Sequence, residues 1–275
     1  MAAPPSASSS PSPAAPGPVT PEVAAVVSAL RSAGCVFAEE EAELLLATAR
    51  TPEELTAMVD RRAAGLPLEH VLGWAEFHGL RIAVDPGVFV PRRRTEFLVD
   101  QALARAPHTP VVVDLCCGSG ALGAALAAAL GAVEVHAADI DPAAVRCARR
   151  NLVPYGGLAH EGDLFDALPA GLRGRVGILT ANVPYVPSDE VALLPPEARD
   201  HEPKTALDGG ADGLDVLRRV AAGASEWLAP GGRLLTETSE RQAPAALAAF
   251  RDAGLTARLA KSEELYAHVV IGVRG

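Results

Sequence analysis

Thr180-Ala181-Asn182-Val183-Pro184-Tyr185-Val186-Pro187 follows a short apolar run, Val176, Ile178 and Leu179, that reads as a buried strand. Pro184 lacks the N–H that a strand ladder needs, so the strand ends before it. Asn182 therefore stands where a parallel strand finishes, the edge at which open α/β sheets bind ligands. Val183 precedes a proline and is held near extended geometry. That sets its carbonyl beside the Asn182 side chain, and Tyr185 adds an aromatic ring two residues on. Two acceptors and a flat ring form a receptor for a planar NH2 group. A strand-ending turn with a packed tyrosine would also satisfy this stretch taken alone.

Upstream, strand and helix patterns alternate from residue 111, which predicts an α/β sheet. Val111-Val112-Val113 reads as a buried strand ending in Asp114, followed by Leu115-Cys116-Cys117-Gly118-Ser119-Gly120 and an Ala- and Leu-rich helix to Leu130. The glycines let a ligand approach the backbone between strand and helix. A second strand, Val133 to Ala138, ends at Asp139, and Asp141-Pro142 caps the next helix. An acid roughly twenty residues after a Gly-rich turn is placed to bind ribose hydroxyls. Gly118, Gly120 and Gly123 also spell the dinucleotide pattern, but that motif puts glycine at the strand end, where pyrophosphate meets the helix N-terminus. Asp114 stands there instead, and a carboxylate favours a ligand carrying an ammonium. S-adenosylmethionine, with its ammonium and sulfonium, suits this loop better; a glycine turn serving only helix–strand packing is the plainer alternative. Asp163, after a weak strand near Leu158 to His160, is placed to accept from an adenine amino group, with Leu164 lining the base. Asp114, Asp139, Asp163 and Asn182 then fall at successive strand ends and converge on one crevice.

The rest of the chain frames that crevice. Residues 1–19 are almost entirely Ala, Pro and Ser and are expected to be disordered, with none of the marks of a signal peptide. Residues 20–75 read as a small helical domain. Thr20-Pro21 opens one helix, Glu39 to Ala49 forms a second, and the capping box Thr51-Pro52-Glu53-Glu54 opens a third. Residues 76–91 alternate and predict a β-hairpin linker, two strands joined by a turn at Asp85-Pro86-Gly87. Arg92-Arg93-Arg94 then reads as a solvated face or an anion contact. Downstream, 193–213 reads as a long loop able to close over substrate. Leu214 to Leu228 is helical, Arg233 to Thr236 a strand, Pro244 to Ala253 a helix and Ala267 to Val273 a last strand. His201 and His268 are lone histidines and read as structural.

Composition narrows the function. The chain has 275 residues, nearly half of them apolar, so it can build a large core. No uncharged apolar run reaches the roughly 20 residues of a membrane span. A net charge of −10 speaks against stable nucleic-acid binding. The four cysteines show neither a CxxC pair nor any metal pattern, which predicts reduced thiols in a cytoplasmic protein and no metal site.

With these motifs placed, the chain resembles the protein-(glutamine-N5) methyltransferases that modify peptide-chain release factors, over residues 20–275. The most specific matches are Pro67-Leu68-Glu69-His70-Val71-Leu72-Gly73 with Glu76-Phe77 and Gly79-Leu80, and Pro86-Gly87-Val88 with Pro91-Arg92 and Thr95-Glu96. Equally specific is Glu202-Pro203 with Ala206-Leu207-Asp208-Gly209-Gly210 and Asp212-Gly213-Leu214-Asp215, followed by Glu237 and Gln242. Asp114-Leu115 with Gly118-Ser119-Gly120, Asp139-Ile140-Asp141-Pro142 and Gly162-Asp163-Leu164-Phe165 are shared more widely. The sequence departs from the family pattern at Asn182-Val183-Pro184-Tyr185, where the family has Asn-Pro-Pro-Tyr. It departs again at Arg92-Arg93-Arg94-Thr95-Glu96, where the family has Arg-Pro-Glu-Thr-Glu, and at Cys116-Cys117 in the glycine loop, departures that read as a paralogue-like member of the family whose target need not be the usual release-factor glutamine.

The resemblance implies a class I S-adenosylmethionine-dependent methyltransferase, with a Rossmann-like seven-stranded sheet over 92–275, behind a small N-terminal helical domain and a β-hairpin linker. It implies a cofactor site built from Asp114, Cys116, Gly118, Ser119 and Gly120, then Asp139, Ile140, Asp163, Leu164 and Asn182. The expected catalytic stretch is Asn182, Val183, Pro184 and Tyr185. The Asn182 oxygen and the Val183 carbonyl would accept the two N–H bonds of a glutamine amide in a release-factor-like protein, with Tyr185 packed on the amide plane. An adenine-N6 methyltransferase, which needs a basic channel, and a non-catalytic S-adenosylmethionine-binding module are the rival readings.

Overall fold

The computed structural model describes residues 21–104, 106 and 111–275. The tail expected over residues 1–19 and the N-cap expected at Thr20 lie outside the described residues. Two compact units divide between Ala64 and Gly65. In the first, α1 (Pro21–Ser32), α2 (Ala38–Thr48) and α3 (Pro52–Ala63) bury Leu30, Leu45 and Met58. Thr51 caps α3, its hydroxyl accepting from the Glu54 N–H at 3.2 Å. A buried Arg62–Glu41 pair, with bonds of 2.6 and 2.9 Å, joins α3 to α2.

The second unit opens with α4 (Leu68–Leu72) and an antiparallel hairpin of β1 (Trp74–Phe77) and β2 (Leu80–Ala83). Two sequence expectations change here. The hairpin turn is His78-Gly79, not Asp85-Pro86-Gly87. Both turn residues take positive φ, 50° and 74°, the two-residue turn whose twist matches paired strands. Val88 and Val90 are buried, but their backbone serves other partners: His70 Nε2 donates to the Val88 carbonyl at 2.8 Å, and the Val90 N–H donates to Glu202 at 3.2 Å. Residues 65–75, read from sequence as the end of the helical domain, belong to the second unit. That His70–Val88 bond and one from the Val84 N–H to the Gly73 carbonyl tie them there.

After α5 (Glu96–Leu103) the strands and helices alternate: β3 (Val111–Leu115), α6 (Ala121–Leu130), β4 (Glu134–Asp139), α7 (Pro142–Leu152), β5 (Leu158–Glu161) and β6 (Val176–Ala181). The segment read as a long loop over 193–213 contains a short helix, α8 (Pro196–His201). It leads to α9 (Asp215–Trp227), β7 (Leu228–Thr238), α10 (Ala243–Asp252), β8 (Thr256–Ser262) and β9 (Ala267–Val273). The seven-stranded sheet has the order β5-β4-β3-β6-β7-β9-β8. Its first five strands are parallel; β9 runs antiparallel to both β7 and β8. Val112, Val135 and Ile178 face one apolar layer with α5, α6 and α7. Val113, Leu179 and Leu234 face the other with α9 and α10. Covered on both faces, the central strands read as unbroken apolar runs. Strand order reverses between β3 and β6, and at such a switch point a crevice opens beyond the strand ends.

Candidate active site

A cavity of about 280 Å³ fills that crevice. Its floor is the turn after β3. Cys116, Gly118 and Gly120 all take positive φ there, 53°, 53° and 78°. Only glycine fits at 120, because a Cβ would sit 3.0 Å from the Ala148 Cβ and 3.1 Å from its Cα. A left-handed Cys116 costs about 1–2 kcal/mol, strain of a kind that clusters at ligand sites. Burial pushes the Cys116 thiol far up, so it is a neutral wall group rather than a nucleophile.

The three carboxylates behave differently. Asp139 accepts from the Gly118 N–H and the Asp141 N–H, both at 2.9 Å, and so fixes the glycine turn to the end of β4. Burial raises its pKa in spite of those bonds. Asp163 is paired with Arg219 at 2.7 Å, and both line the cavity beside Leu164. Asp114 is fully buried. It accepts from the Thr180 hydroxyl at 2.9 Å and the Gly123 N–H at 3.2 Å. Burial pushes its pKa up to about 7, against the pull of both hydrogen bonds. Its oxygens thus brace β3 against β6 and α6 rather than forming the cavity wall.

At the end of β6, Asn182 lines the cavity, and its Oδ1 is buried with no hydrogen-bond partner. An orphaned acceptor of this kind costs about 1–3 kcal/mol unless a ligand donor satisfies it. Pro184 also lines the cavity; Val183 and Tyr185 do not. The Tyr185 hydroxyl instead donates to Glu237 at 2.9 Å and accepts from Arg94 at 2.6 Å. Burial pushes that phenol up to about 12. Gln242 Nε2 holds the Tyr185 carbonyl at 2.8 Å.

The far wall comes from residues 88–95 and 203–208. Phe89, Pro91 and Thr95 line it from the first segment and Pro203, Thr205 and Asp208 from the second. Glu202, with its side chain fully buried, ties the two segments together. It accepts two 2.6 Å bonds from Arg92 and one from the Val90 N–H. Within the arginine triplet, Arg92 and Arg94 are thus bound to carboxylates, while Arg93 is exposed. Burial works against the Arg94 charge, but Tyr185 and Glu237 outweigh it and hold the guanidinium protonated.

Of the residues singled out in the sequence, the structure brings Cys116, Gly118, Ser119, Asp139, Ile140, Asp163, Leu164, Asn182 and Pro184 onto one cavity. Asp114, Gly120, Val183 and Tyr185 stand behind its wall. Arg219, Phe89 and Thr205 line the cavity but carry no local signal; the tertiary fold brings them there. Among the described residues no His, Cys, Asp or Glu cluster is arranged to hold a metal ion, and no helix is long and apolar enough to cross a membrane.

Residues 79–171 match the family model of the methyltransferase small domain. A release factor glutamine methyltransferase from Geobacter sulfurreducens is 42% identical over 208 residues, 74% of this chain and 72% of that protein. Another, from Mycolicibacterium smegmatis, is 38% identical over 247 residues, 88% of this chain and 85% of that protein. A 4-amino-L-phenylalanine/4-methylamino-L-phenylalanine methyltransferase from Streptomyces pristinaespiralis is 37% identical over 210 residues, covering 74% and 71%. In structure, the chain is similar to a methyltransferase from Pyrococcus furiosus, with a TM-score of 0.55 at 16% identity, over 80% of this chain and 98% of that one. The sheet is that of a class I methyltransferase, and the acidic strand ends that line the cavity, Asp139 and Asp163, fit S-adenosylmethionine, the cofactor of the fold. With relatives of this similarity over most of its length, the chain belongs to the release factor glutamine methyltransferase family.

Proposed function

We propose that this enzyme methylates the side-chain amide nitrogen of a glutamine in a peptide-chain release factor. One observation carries the reading at the level of chemistry: Asn182 Oδ1 is a buried acceptor with no donor, on the wall of the cofactor crevice. The names of the relatives supply the acceptor protein.

Bound S-adenosylmethionine supplies an electrophilic methyl group on a sulfonium. Asp139 would hold its ribose hydroxyls, and Asp163, steadied by Arg219, its adenine edge. The chain's own task is to present a weak nucleophile. A carboxamide nitrogen is weak because its lone pair is delocalised into the carbonyl. Asn182 Oδ1 accepts one amide N–H in this reading, and the Val183 carbonyl accepts the other. The proline after Val183 favours extended geometry there, which would limit the directions that carbonyl can take. The donors of the acceptor amide are thereby saturated and its orientation fixed, which makes catalysis chiefly positioning and electrostatics. The apolar wall, Phe89, Pro91 and Pro184, keeps water from the reacting atoms. Asp114, pushed up to about 7 by burial, lies behind the cavity wall and is not placed to act as a base.

Adenine-N6 transfer is not favoured, because the net charge of −10 suits a phosphate backbone poorly. The test is labelled methyl transfer from S-adenosylmethionine into a bacterial release factor, followed by fragment mass spectrometry. The expected result is one methyl on one glutamine side chain. Label in nucleic acid, or on a backbone or carboxylate atom, would replace this reading.

A further inference from the structure

We propose that Arg94 is a positioning residue for the acceptor side of the reaction, acting through the Tyr185 phenol. The proposal rests on the amide-acceptor reading above. Arg94, Tyr185 and Glu237 form a closed ring of hydrogen bonds. Arg94 Nη2 donates to the Tyr185 hydroxyl at 2.6 Å, that hydroxyl donates to Glu237 Oε1 at 2.9 Å, and Arg94 Nε donates to the same Glu237 oxygen at 2.7 Å. Thr95 closes the other side of the carboxylate, its hydroxyl donating to Oε2 at 2.6 Å. The phenol of Tyr185 is thus held through both its proton and a lone pair. Gln242 holds the carbonyl of the same residue. With ring tip and backbone both fixed, the stretch from Asn182 to Tyr185 has little freedom left.

Arg94 is the member on which the ring depends. The Glu237 side chain is only 3% exposed, and its other two partners are hydroxyls, so Arg94 supplies the opposite charge. Without it a buried carboxylate stands unpaired and must move to find another partner. That movement loosens its hold on the phenol. Arg94 itself is 44% exposed, so its removal empties little of the core. Lysine could restore the charge, but its single ammonium lacks the fork that touches Glu237 and Tyr185 together. The residue lies in the arginine triplet, where the sequence departs from the pattern of its family.

The chain has only three tyrosines, so ring-labelled tyrosine gives three sets of NMR signals in the full-length protein. Tyr185→Phe assigns the relevant set. Arg94→Met should move and average the Tyr185 ring signals while leaving Tyr155 and Tyr266 in place, with Arg94→Lys intermediate. Turnover on a release factor should fall on the order of tenfold or more, with S-adenosylhomocysteine affinity within about twofold of wild type. Added to Tyr185→Phe, Arg94→Met should cost less than about twofold further in kcat, because both act through one phenol. Unmoved Tyr185 signals, a parallel loss of S-adenosylhomocysteine affinity, or losses that simply multiply would each overturn the proposal. If wild-type enzyme transferred no methyl to a release factor, the acceptor reading would fall, while the ring signals would still decide the role of Arg94.

Discussion

Asn182 and Asp114 lie on neighbouring strands and carry opposite kinds of unfinished business. Asn182 Oδ1 lacks a donor on a residue that lines the cavity, so its missing bond is one that a ligand could supply. Asp114 has its partners and no solvent exposure, so its difficulty is the charge itself. Burial raises its folded pKa to about 7, above the ordinary 3.8 of an unfolded chain. Between those values the unfolded state has released the proton and the folded state keeps it. Stability is therefore fully present below the unfolded pKa and is lost as pH rises through 7. Urea denaturation should show wild type weaker at pH 8 than at pH 5, and Asp114→Asn should narrow that difference, since Asn keeps the geometry without the charge. An equal pH dependence in both proteins would place the titration elsewhere. Asn182 was legible in the sequence because strand, polar residue and proline are adjacent. The Glu237 contact with Tyr185 was not, because 52 residues separate the pair and only the placement of β6 beside β7 joins them.

The segments around the cavity depend on one another more than the central strands do. Residues 88–95 and 203–208 form its far wall, and Glu202 ties them through Arg92 and the Val90 N–H. Arg92→Met should destabilise the enzyme by about 2 kcal/mol, the lower side of a broken buried pair because Arg92 is itself a third exposed. Adding Glu202→Gln should recover part of that loss by removing the stranded charge. Chemical denaturation of the two variants checks both statements. The central strands were readable because burial on both faces leaves continuous apolar runs. Pro86-Gly87 is a strong turn signal that outweighs His78-Gly79 on the sequence alone, although histidine is among the residues that accept the positive φ found there. Strand β8 carried no signal, since Thr256-Ala257-Arg258-Leu259-Ala260-Lys261-Ser262 is a polar edge paired on one side only.

At the scale of the sheet, function follows from one reversal of strand order. It sets the ends of β3 and β6 side by side, so the glycine turn and the Asn182 stretch, the proposed cofactor and acceptor sites, open into the same cavity. The pattern of strands and helices predicted that crevice, and the class of cofactor followed from an acid in place of a leading glycine. The sequence could not show that Asp114 stays behind the wall, since depth within a sheet is decided by the layers that cover it. The central claim is that Asn182 binds the acceptor amide and leaves the cofactor alone. The most direct test measures labelled methyl transfer to a release factor and S-adenosylhomocysteine affinity together, in wild type and Asn182→Ala. Turnover should fall by roughly 10²–10³-fold, the usual cost of a lost electrostatic contact to the reacting group, with affinity nearly unchanged. Undiminished turnover, or an affinity that falls as far as the rate, would contradict it.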